Sequence, residues 1–197
     1  MGSHAQLGLD GWSDSGDPSD RSGLPLEGDS STEGDRVNEE AQVVVDTSTR
    51  MGLTIGCAES LTGGMVASSI VSIPGASGVF RGAIVAYDSM LKNDFLGVDA
   101  SELASTGAVT AEVASAMAEG ALTRLGVDLA VATTGVAGPD PDPVSGKAPG
   151  VVFIAVAGGG LGTLVRELSL EGDRGEIRER ATKAALQALL DGLATRE

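Results

Sequence analysis

The stretch Leu53-Thr-Ile-Gly-Cys-Ala-Glu-Ser-Leu-Thr-Gly-Gly64 decides the fold of this chain. Its apolar first half predicts a buried β-strand over 53–58, and its Thr-Gly-Gly end predicts a helix over 63–72. In open α/β folds, ligands bind at the carboxyl edge of the sheet, where such a turn leaves backbone N–H groups free. Ser60 stands in this turn as either a nucleophile or the N-cap of the helix, and Thr62 is a second candidate for the cap.

Strand and helix patterns alternate along the rest of the chain. Further strands are predicted over 79–86, 128–133, 151–157 and 163–170, the last two joined by a hairpin turn. Further helices are predicted over 38–51, 89–96, 110–126 and 175–193. This order predicts an α/β fold, a three-layer α/β/α sandwich with a mixed, mainly parallel sheet.

The first part of the chain differs in composition from the rest. Residues 1–37 are rich in Gly, Ser, Asp and Pro, and Met1-Gly-Ser-His4 resembles a remnant of recombinant expression. We predict a disordered acidic tail over 1–37, because it holds too few apolar residues to form a core, and one folded domain over 38–197.

Charge restricts the partners and the location that we expect. The net charge is −15, and residues 1–40 alone carry ten acidic and two basic side chains. Such a surface repels phosphate backbones, so we expect no nucleic acid partner. No apolar run reaches the length of a membrane span and no export signal is evident, so we expect no membrane association and a cytoplasmic location.

The few histidines and cysteines restrict the chemistry. His4 is the only histidine and lies in the tail, and Cys57 is the only cysteine. A disulfide framework, a Cys/His zinc site and a Ser–His pair in the folded part are therefore excluded, and we expect no metal or cofactor. If the chain is a hydrolase, its general base is a lysine, a carboxylate or a tyrosine.

Three lysines are available as a base: Lys92, Lys147 and Lys183. Lys183 falls on a charged helix face and Lys147 in the loop over 134–150, whereas Lys92 follows the exit of the second strand. Burial in an apolar pocket lowers the pKa of a lysine and lets it act as a base. A second Gly-rich strand exit, Thr134-Gly-Val-Ala-Gly-Pro139, predicts a crevice shared with the turn at Ser60.

The order and spacing of several motifs over about 40–193 resemble the CinA C-terminal domain family, the nicotinamide-nucleotide amidohydrolases. The matching pieces are Ala58-Glu-Ser-Leu-Thr-Gly-Gly64, Pro74-Gly-Ala-Ser77, Phe80-Arg-Gly82, Tyr87-x-x-x-x-Lys92, Gly97-Val98, Gly107-Ala-Val109, Thr134-Gly-Val-Ala-Gly-Pro139, Lys147-x-x-Gly150 and Gly172-Asp-Arg174.

This resemblance implies hydrolysis of the carboxamide of nicotinamide mononucleotide (NMN) to nicotinate mononucleotide and ammonia, in pyridine nucleotide salvage. It assigns catalytic roles to Ser60, Lys92 and Tyr87. The substrate-binding residues that we carry over are Glu59, Thr62, Gly63, Gly64, Thr134, Gly135, Gly138, Pro139, Lys147 and Arg174. The N–H groups of Thr62, Gly63 and Gly64 hold either the oxyanion or the phosphate, with Lys147 or Arg174 as the cation for the phosphate.

Two departures from the family pattern keep other functions open. Leu61 replaces a small residue or cysteine, and Ser89 replaces an asparagine next to the proposed base. The alternatives are a non-catalytic nucleotide-binding or interaction module and a different small amidase or lactamase. We expect a homo-oligomer, because a second subunit commonly completes the crevice of a small α/β domain.

Overall fold

Five strands form one mixed sheet in the computed structural model, which describes residues 33–158, 160 and 162–196. They are β1 (Ile55–Glu59), β2 (Phe80–Val85), β3 (Leu129–Gly135), β4 (Val151–Gly158) and β5 (Gly162–Ser169). Their order across the sheet is β2-β1-β3-β4-β5. β1 is parallel to β2 and to β3, whereas β4 is antiparallel to β3 and to β5. All strands except β4 therefore point in the same direction.

Helices cover both faces of this sheet and complete the predicted three layers. They are α1 (Glu33–Met51), α2 (Met65–Val71), α3 (Ser89–Leu96), α4 (Ala100–Thr106), α5 (Ala111–Leu125) and α6 (Arg174–Ala194). α1, α2 and α6 lie on one face, and α3, α4 and α5 lie on the other. None of the described helices is long and apolar enough to cross a membrane.

Two apolar cores result from the alternation of side chains along the central strands. In β3, Leu129 and Val131 face the core under α1 and α6, whereas Ala130 and Ala132 face the core under α5. The small side chains on the second face let α5 pack close to the sheet. Gly56 extends this close approach, because a Cβ added there would lie 2.6 Å from Leu125 Cδ1.

Two helix starts and one additional helix differ from the sequence prediction. α1 begins at Glu33 and not at Asn38, because Val37 is buried and extends the apolar face of the helix by one turn; the rest of the predicted tail, 1–32, lies outside the described residues. α2 begins at Met65 and not at 63, because Gly63 and Gly64 have φ values of 60° and 100°. α4 was not predicted, although Asp99 caps it.

Candidate active site

A cavity of about 160 Å³ opens at the carboxyl edge of the parallel strands β1, β2 and β3. The chain segments that leave these three strands converge there, so the cavity stands where the sequence predicts a crevice. Its walls are formed by Ser60, Leu61, Tyr87, Ser89, Lys92, Ala108, Val109, Thr134, Gly135, Ala137, Asp142 and Arg174.

Ser60 is the first residue after β1 and is 8% exposed. Its N–H donates to Thr133 O at 3.0 Å, which extends the pairing of β1 with β3 by one residue. Its Oγ makes no hydrogen bond within the described part of the chain. The hydroxyl is not the N-cap of α2, so this interpretation is wrong. Thr62 is not the cap either, because its Oγ1 pairs with Thr133 Oγ1 at 2.8 Å.

Glu59, the last residue of β1, caps α2 instead. Its Oε2 accepts from Gly64 N at 2.8 Å and Val66 N at 3.2 Å, and its Oε1 accepts from Ala67 N at 2.8 Å. The carboxylate is fully buried and stands at the positive end of the helix dipole. Cys57 Sγ donates to Oε1 at 3.5 Å. Burial, and secondly the charge of Glu59, raise the pKa of this thiol well above its usual value, so it stays protonated in the core.

Two backbone N–H groups beside Ser60 have no acceptor among the described residues, those of Leu61 and Thr62. The other two donors considered from the sequence are occupied: Gly63 N–H donates to Ser60 O at 3.1 Å, and Gly64 N–H donates to the carboxylate that caps α2. The free donors are consecutive and directly follow the serine. Preorganised donors at such a place stabilise an oxyanion that forms when the serine attacks a carbonyl.

Lys92, in the first half of α3, is 1% exposed and reaches the cavity. Its Nζ donates to Ala86 O at 2.8 Å and to Tyr87 O at 3.2 Å. Burial lowers the pKa of Lys92 to about 8, although the carboxylates of Asp88 and Asp142 act in the opposite direction. Roughly a tenth of such lysines are neutral at pH 7, which suits a general base.

Asp142 adds a carboxylate to the same cavity, and no motif in the sequence indicates it. Its Oδ2 accepts from Ser145 N at 2.7 Å and from Ser145 Oγ at 2.6 Å. Burial alone raises the pKa of Asp142, but these hydrogen bonds and the charge of Lys92 outweigh it and lower that pKa. The cavity therefore holds a negative charge near the ammonium of Lys92.

Tyr87 and Arg174 form the rim of the cavity. Arg174 Nη2 donates to Tyr87 Oη at 2.8 Å, and Arg174 Nη1 donates to Gly138 O at 2.7 Å. Arg174 is the first residue of α6, whose start is fixed by a capping box between Asp173 and Glu176. A guanidinium thus stands at the mouth of the cavity, where it can bind an anionic group.

The remaining residues that we carried over from the family divide into two groups. Thr134 and Gly135 line the cavity, and Thr134 Oγ1 donates to Ala108 O at 2.6 Å. Those outside its lining are Glu59, Thr62, Gly63, Gly64, Gly138, Pro139 and Lys147. The ammonium of Lys147 lies 5.0 Å from the centroid of the Phe153 ring. Of the two cations predicted to bind the phosphate, Lys147 and Arg174, Arg174 is the one that lines the cavity.

Arg178, on the second turn of α6, also contacts the serine turn. Its Nε donates to Leu61 O at 3.0 Å, and its Nη2 donates to Thr62 O at 2.9 Å. The sequence indicates only a charged helix face around Lys183 and no contact of this helix with the serine turn. Arg174 and Arg178 are four residues apart and therefore lie on the same face of α6, and this spacing could have indicated that both are directed towards the site. Among the described residues, no cluster of three or more His, Cys, Asp or Glu is placed to hold a metal ion.

Comparisons of the sequence and of the structure with known proteins indicate the same family. The model of the CinA C-terminal domain matches residues 37–193. The CinA-like protein of Frankia casuarinae is 43% identical over 158 residues, which are 79% of this chain and 36% of that protein. The CinA-like protein of Gloeobacter violaceus is 46% identical over 142 residues, 71% of this chain and 33% of that protein. The chain thus spans about a third of the length of these curated relatives.

Solved structures with the same fold carry related names. The competence/damage inducible protein CihA from Agrobacterium tumefaciens superposes with a TM-score of 0.76 at 35% identity, covering 81% of this chain and 96% of that one. A CinA superfamily protein from Klebsiella pneumoniae gives a TM-score of 0.76 at 28% identity, covering 81% and 98%. By its match over 37–193 and by these relatives, the chain belongs to the CinA C-terminal domain family.

Proposed function

We propose that this domain hydrolyses the carboxamide of NMN to nicotinate mononucleotide and ammonia, as a step of cytoplasmic pyridine nucleotide salvage. One observation carries the proposal. Ser60, with a free hydroxyl, and Lys92, with a pKa near 8, line the same cavity in a chain whose single histidine is His4. A serine with a lysine base is a recognised arrangement for acyl transfer.

The first half of the proposed reaction forms an acyl-enzyme. Neutral Lys92 turns its Nζ from the two main-chain carbonyls towards Ser60 and accepts the Oγ proton, while Oγ attacks the carboxamide carbon. The carbonyl oxygen becomes an oxyanion, held first by the N–H group of Leu61, which lines the cavity, with that of Thr62, the fully buried next residue, as the second donor. The C–N bond then breaks, Lys92 returns its proton to the leaving nitrogen, and ammonia departs.

The second half regenerates the enzyme. Lys92 accepts a proton from a water molecule, and the resulting hydroxide attacks the ester carbon through the same oxyanion site. The C–O bond to Ser60 breaks, and the proton passes from Lys92 to Ser60 Oγ. Nicotinate mononucleotide is formed as the carboxylic acid and releases its proton to water as it leaves as a carboxylate. The atoms balance as one water consumed and one ammonia released per turnover.

The charges around the cavity support a mononucleotide over a neutral amide. The pyridinium ring of NMN is cationic and withdraws electrons from its carboxamide, and Asp142 offers a negative charge to it. Arg174 stands at the rim, at a suitable place for the phosphate at the other end of the molecule. We propose that these two groups bind opposite ends of the substrate.

Ammonia release from NMN by the purified chain tests this function. Ser60→Ala and Lys92→Ala are each expected to lower kcat at least a hundredfold, because each removes a group needed in the transition state. Ser105→Ala is the matched control, since Ser105 is exposed on α4 and bonds only to Glu102 O. Nicotinamide riboside, which lacks the phosphate, is expected to react with a higher KM.

A binding module without catalysis is the second candidate, and one observation favours it. Both hydrogen bonds of Lys92 Nζ go to main-chain carbonyls, and none goes to Ser60. If NMN raises the melting temperature but no ammonia appears, the chain binds the nucleotide and does not hydrolyse it. Ser60→Ala with near-normal ammonia release would remove Ser60 from the mechanism.

A further inference from the structure

Arg178 contacts two peptide groups of the turn after the proposed nucleophile, Leu61–Thr62 and Thr62–Gly63. Its Nε donates to Leu61 O at 3.0 Å and its Nη2 donates to Thr62 O at 2.9 Å. A guanidinium is planar and rigid, so two of its N–H groups fix both carbonyls in one orientation. The family resemblance assigned no role to this residue, and it does not line the cavity.

The orientation of a carbonyl determines the orientation of the N–H in the same peptide. A trans peptide is planar, and its C=O and N–H point in opposite directions. By holding Leu61 O on the side of α6, Arg178 turns the Thr62 N–H away from that helix. This N–H has no acceptor in the described part of the chain, whereas the next one, that of Gly63, closes the turn on Ser60 O.

The turn needs such a restraint because its sequence is permissive. Gly63 and Gly64 follow with φ values of 60° and 100°, and glycine rotates between backbone conformations more easily than any other residue. A Cβ on Gly63 would lie 3.4 Å from Arg178 Nη2, so the absence of a side chain there also lets the guanidinium approach.

We propose that Arg178 is a positioning residue that holds the Leu61–Thr62 peptide with its free N–H directed at the oxyanion formed during attack by Ser60. The positive charge of the Arg178 guanidinium, next to Leu61 O, also polarises this peptide and makes its N–H a better donor. The proposal rests on the proposed serine chemistry of this cavity. It predicts that Arg178 matters more in the transition state than in substrate binding.

Steady-state kinetics with NMN provide the first test. Arg178→Met is expected to lower kcat about tenfold to a hundredfold and to change KM less than about twofold. The reason is that the Thr62 N–H is no longer held in place to stabilise the oxyanion in the transition state. Arg178→Lys keeps one donor and the charge, so its kcat is expected to lie between those of the parent chain and Arg178→Met. Arg180→Met is the control, since Arg180 is on the same helix and donates to Glu171 O, away from the serine turn.

Labelling of Ser60 by an alkyl fluorophosphonate provides a test that does not need NMN. The reagent forms an Oγ–P bond, the P–F bond breaks, and fluoride leaves with the serine proton, while the phosphoryl oxygen occupies the oxyanion site. Intact-mass spectrometry follows the rate, and Ser60→Ala identifies the labelled residue. Arg178→Met is expected to slow labelling by a factor similar to the loss in kcat, with a melting temperature that shows it is folded under the assay conditions.

The outcomes separate this proposal from the proposed function. NMN hydrolysis with unchanged kcat in Arg178→Met, or a change in KM alone, overturns the role of Arg178 and leaves the amidase in place. Labelling that depends on Arg178, without NMN hydrolysis by the parent chain, supports the positioning role and rejects the substrate. A parent chain that neither hydrolyses NMN nor labels at Ser60 overturns both.

Discussion

At the scale of single residues, Lys92 sets the pH at which the proposed reaction runs, because only its neutral amine accepts the proton of Ser60. Burial lowers its pKa to about 8, and the carboxylates of Asp88 and Asp142 oppose this shift. We expect kcat to rise with pH through about 8. Asp142→Asn removes one opposing charge, so the pKa of Lys92 should fall further and the rise should move to lower pH.

The measurement is kcat for NMN between about pH 6 and pH 9, with substrate kept saturating. Asp140→Asn serves as the control, since Asp140 is exposed in the same loop and outside the cavity lining. A midpoint that stays in place in Asp142→Asn, or moves to higher pH, would show that the observed limb does not belong to Lys92.

The sequence indicated residues that line the cavity, Ser60 and Lys92, better than the residues around them. The strand exits, with no histidine in the folded part, indicated Ser60 and three candidate lysines, and the family resemblance then singled out Lys92. Asp142 and Arg178 could not be found in this way. Asp142 lies in a loop without a periodic pattern, and Arg178 lies in a helix with many charged residues. Asp142 acts on Lys92 through its charge and Arg178 bonds to Leu61 O, and both of these partners are distant in sequence.

At the scale of elements, Glu59 joins the end of β1 to the start of α2. It satisfies three backbone N–H groups in a site that water does not reach. Glu59→Gln replaces one accepting oxygen by an NH₂ that faces a backbone donor. We expect the free energy of unfolding to fall by about 1–3 kcal/mol, because at least one buried N–H is left without an acceptor.

Urea denaturation measures this change. Asp99→Asn on α4 is the matched control, because Asp99 also accepts two backbone N–H groups but its cap is exposed, so a smaller loss than in Glu59→Gln is expected. Equal losses in the two variants would mean that burial of the Glu59 cap adds nothing to stability.

Helix ends were predictable where side-chain or glycine signals act locally. α5 lies between Thr110 and Gly126 as the sequence predicts, since the Thr110 hydroxyl accepts from Val113 N and Gly126 adopts a left-handed conformation. The start of α1 depends on Val37 packing in the core, which is a tertiary effect. α2 lacks a side-chain cap at its N-cap position, because its cap is Glu59 of the preceding strand.

At the scale of the whole molecule, Gly120 sets the distance between α5 and α3, the helix that carries Lys92. A Cβ at Gly120 would lie 2.0 Å from Leu96 O, so alanine forces the two helices apart. Gly→Ala within a helix normally stabilises by about 0.5–1 kcal/mol. Here we expect the opposite sign, a loss of about 1–3 kcal/mol, together with a lower kcat because Lys92 moves.

Urea denaturation and ammonia release measure the two effects. Thr123→Ala, at an exposed position of the same helix, is expected to be neutral or slightly stabilising with normal kcat. Stabilisation by Gly120→Ala would show that α3 and α5 can separate without cost.

The sheet order has a consequence for how the proposed activity is lost. β2 pairs only with β1 in the described sheet, whereas β1 lies between β2 and β3. The carbonyls that hold Lys92 belong to the residues directly after β2, and Ser60 directly follows β1. Fraying of the sheet from this side is therefore expected to detach Lys92, the proposed base, while Ser60, the proposed nucleophile, keeps its place. We therefore expect the proposed activity to be lost by local opening of the sheet edge, before global unfolding.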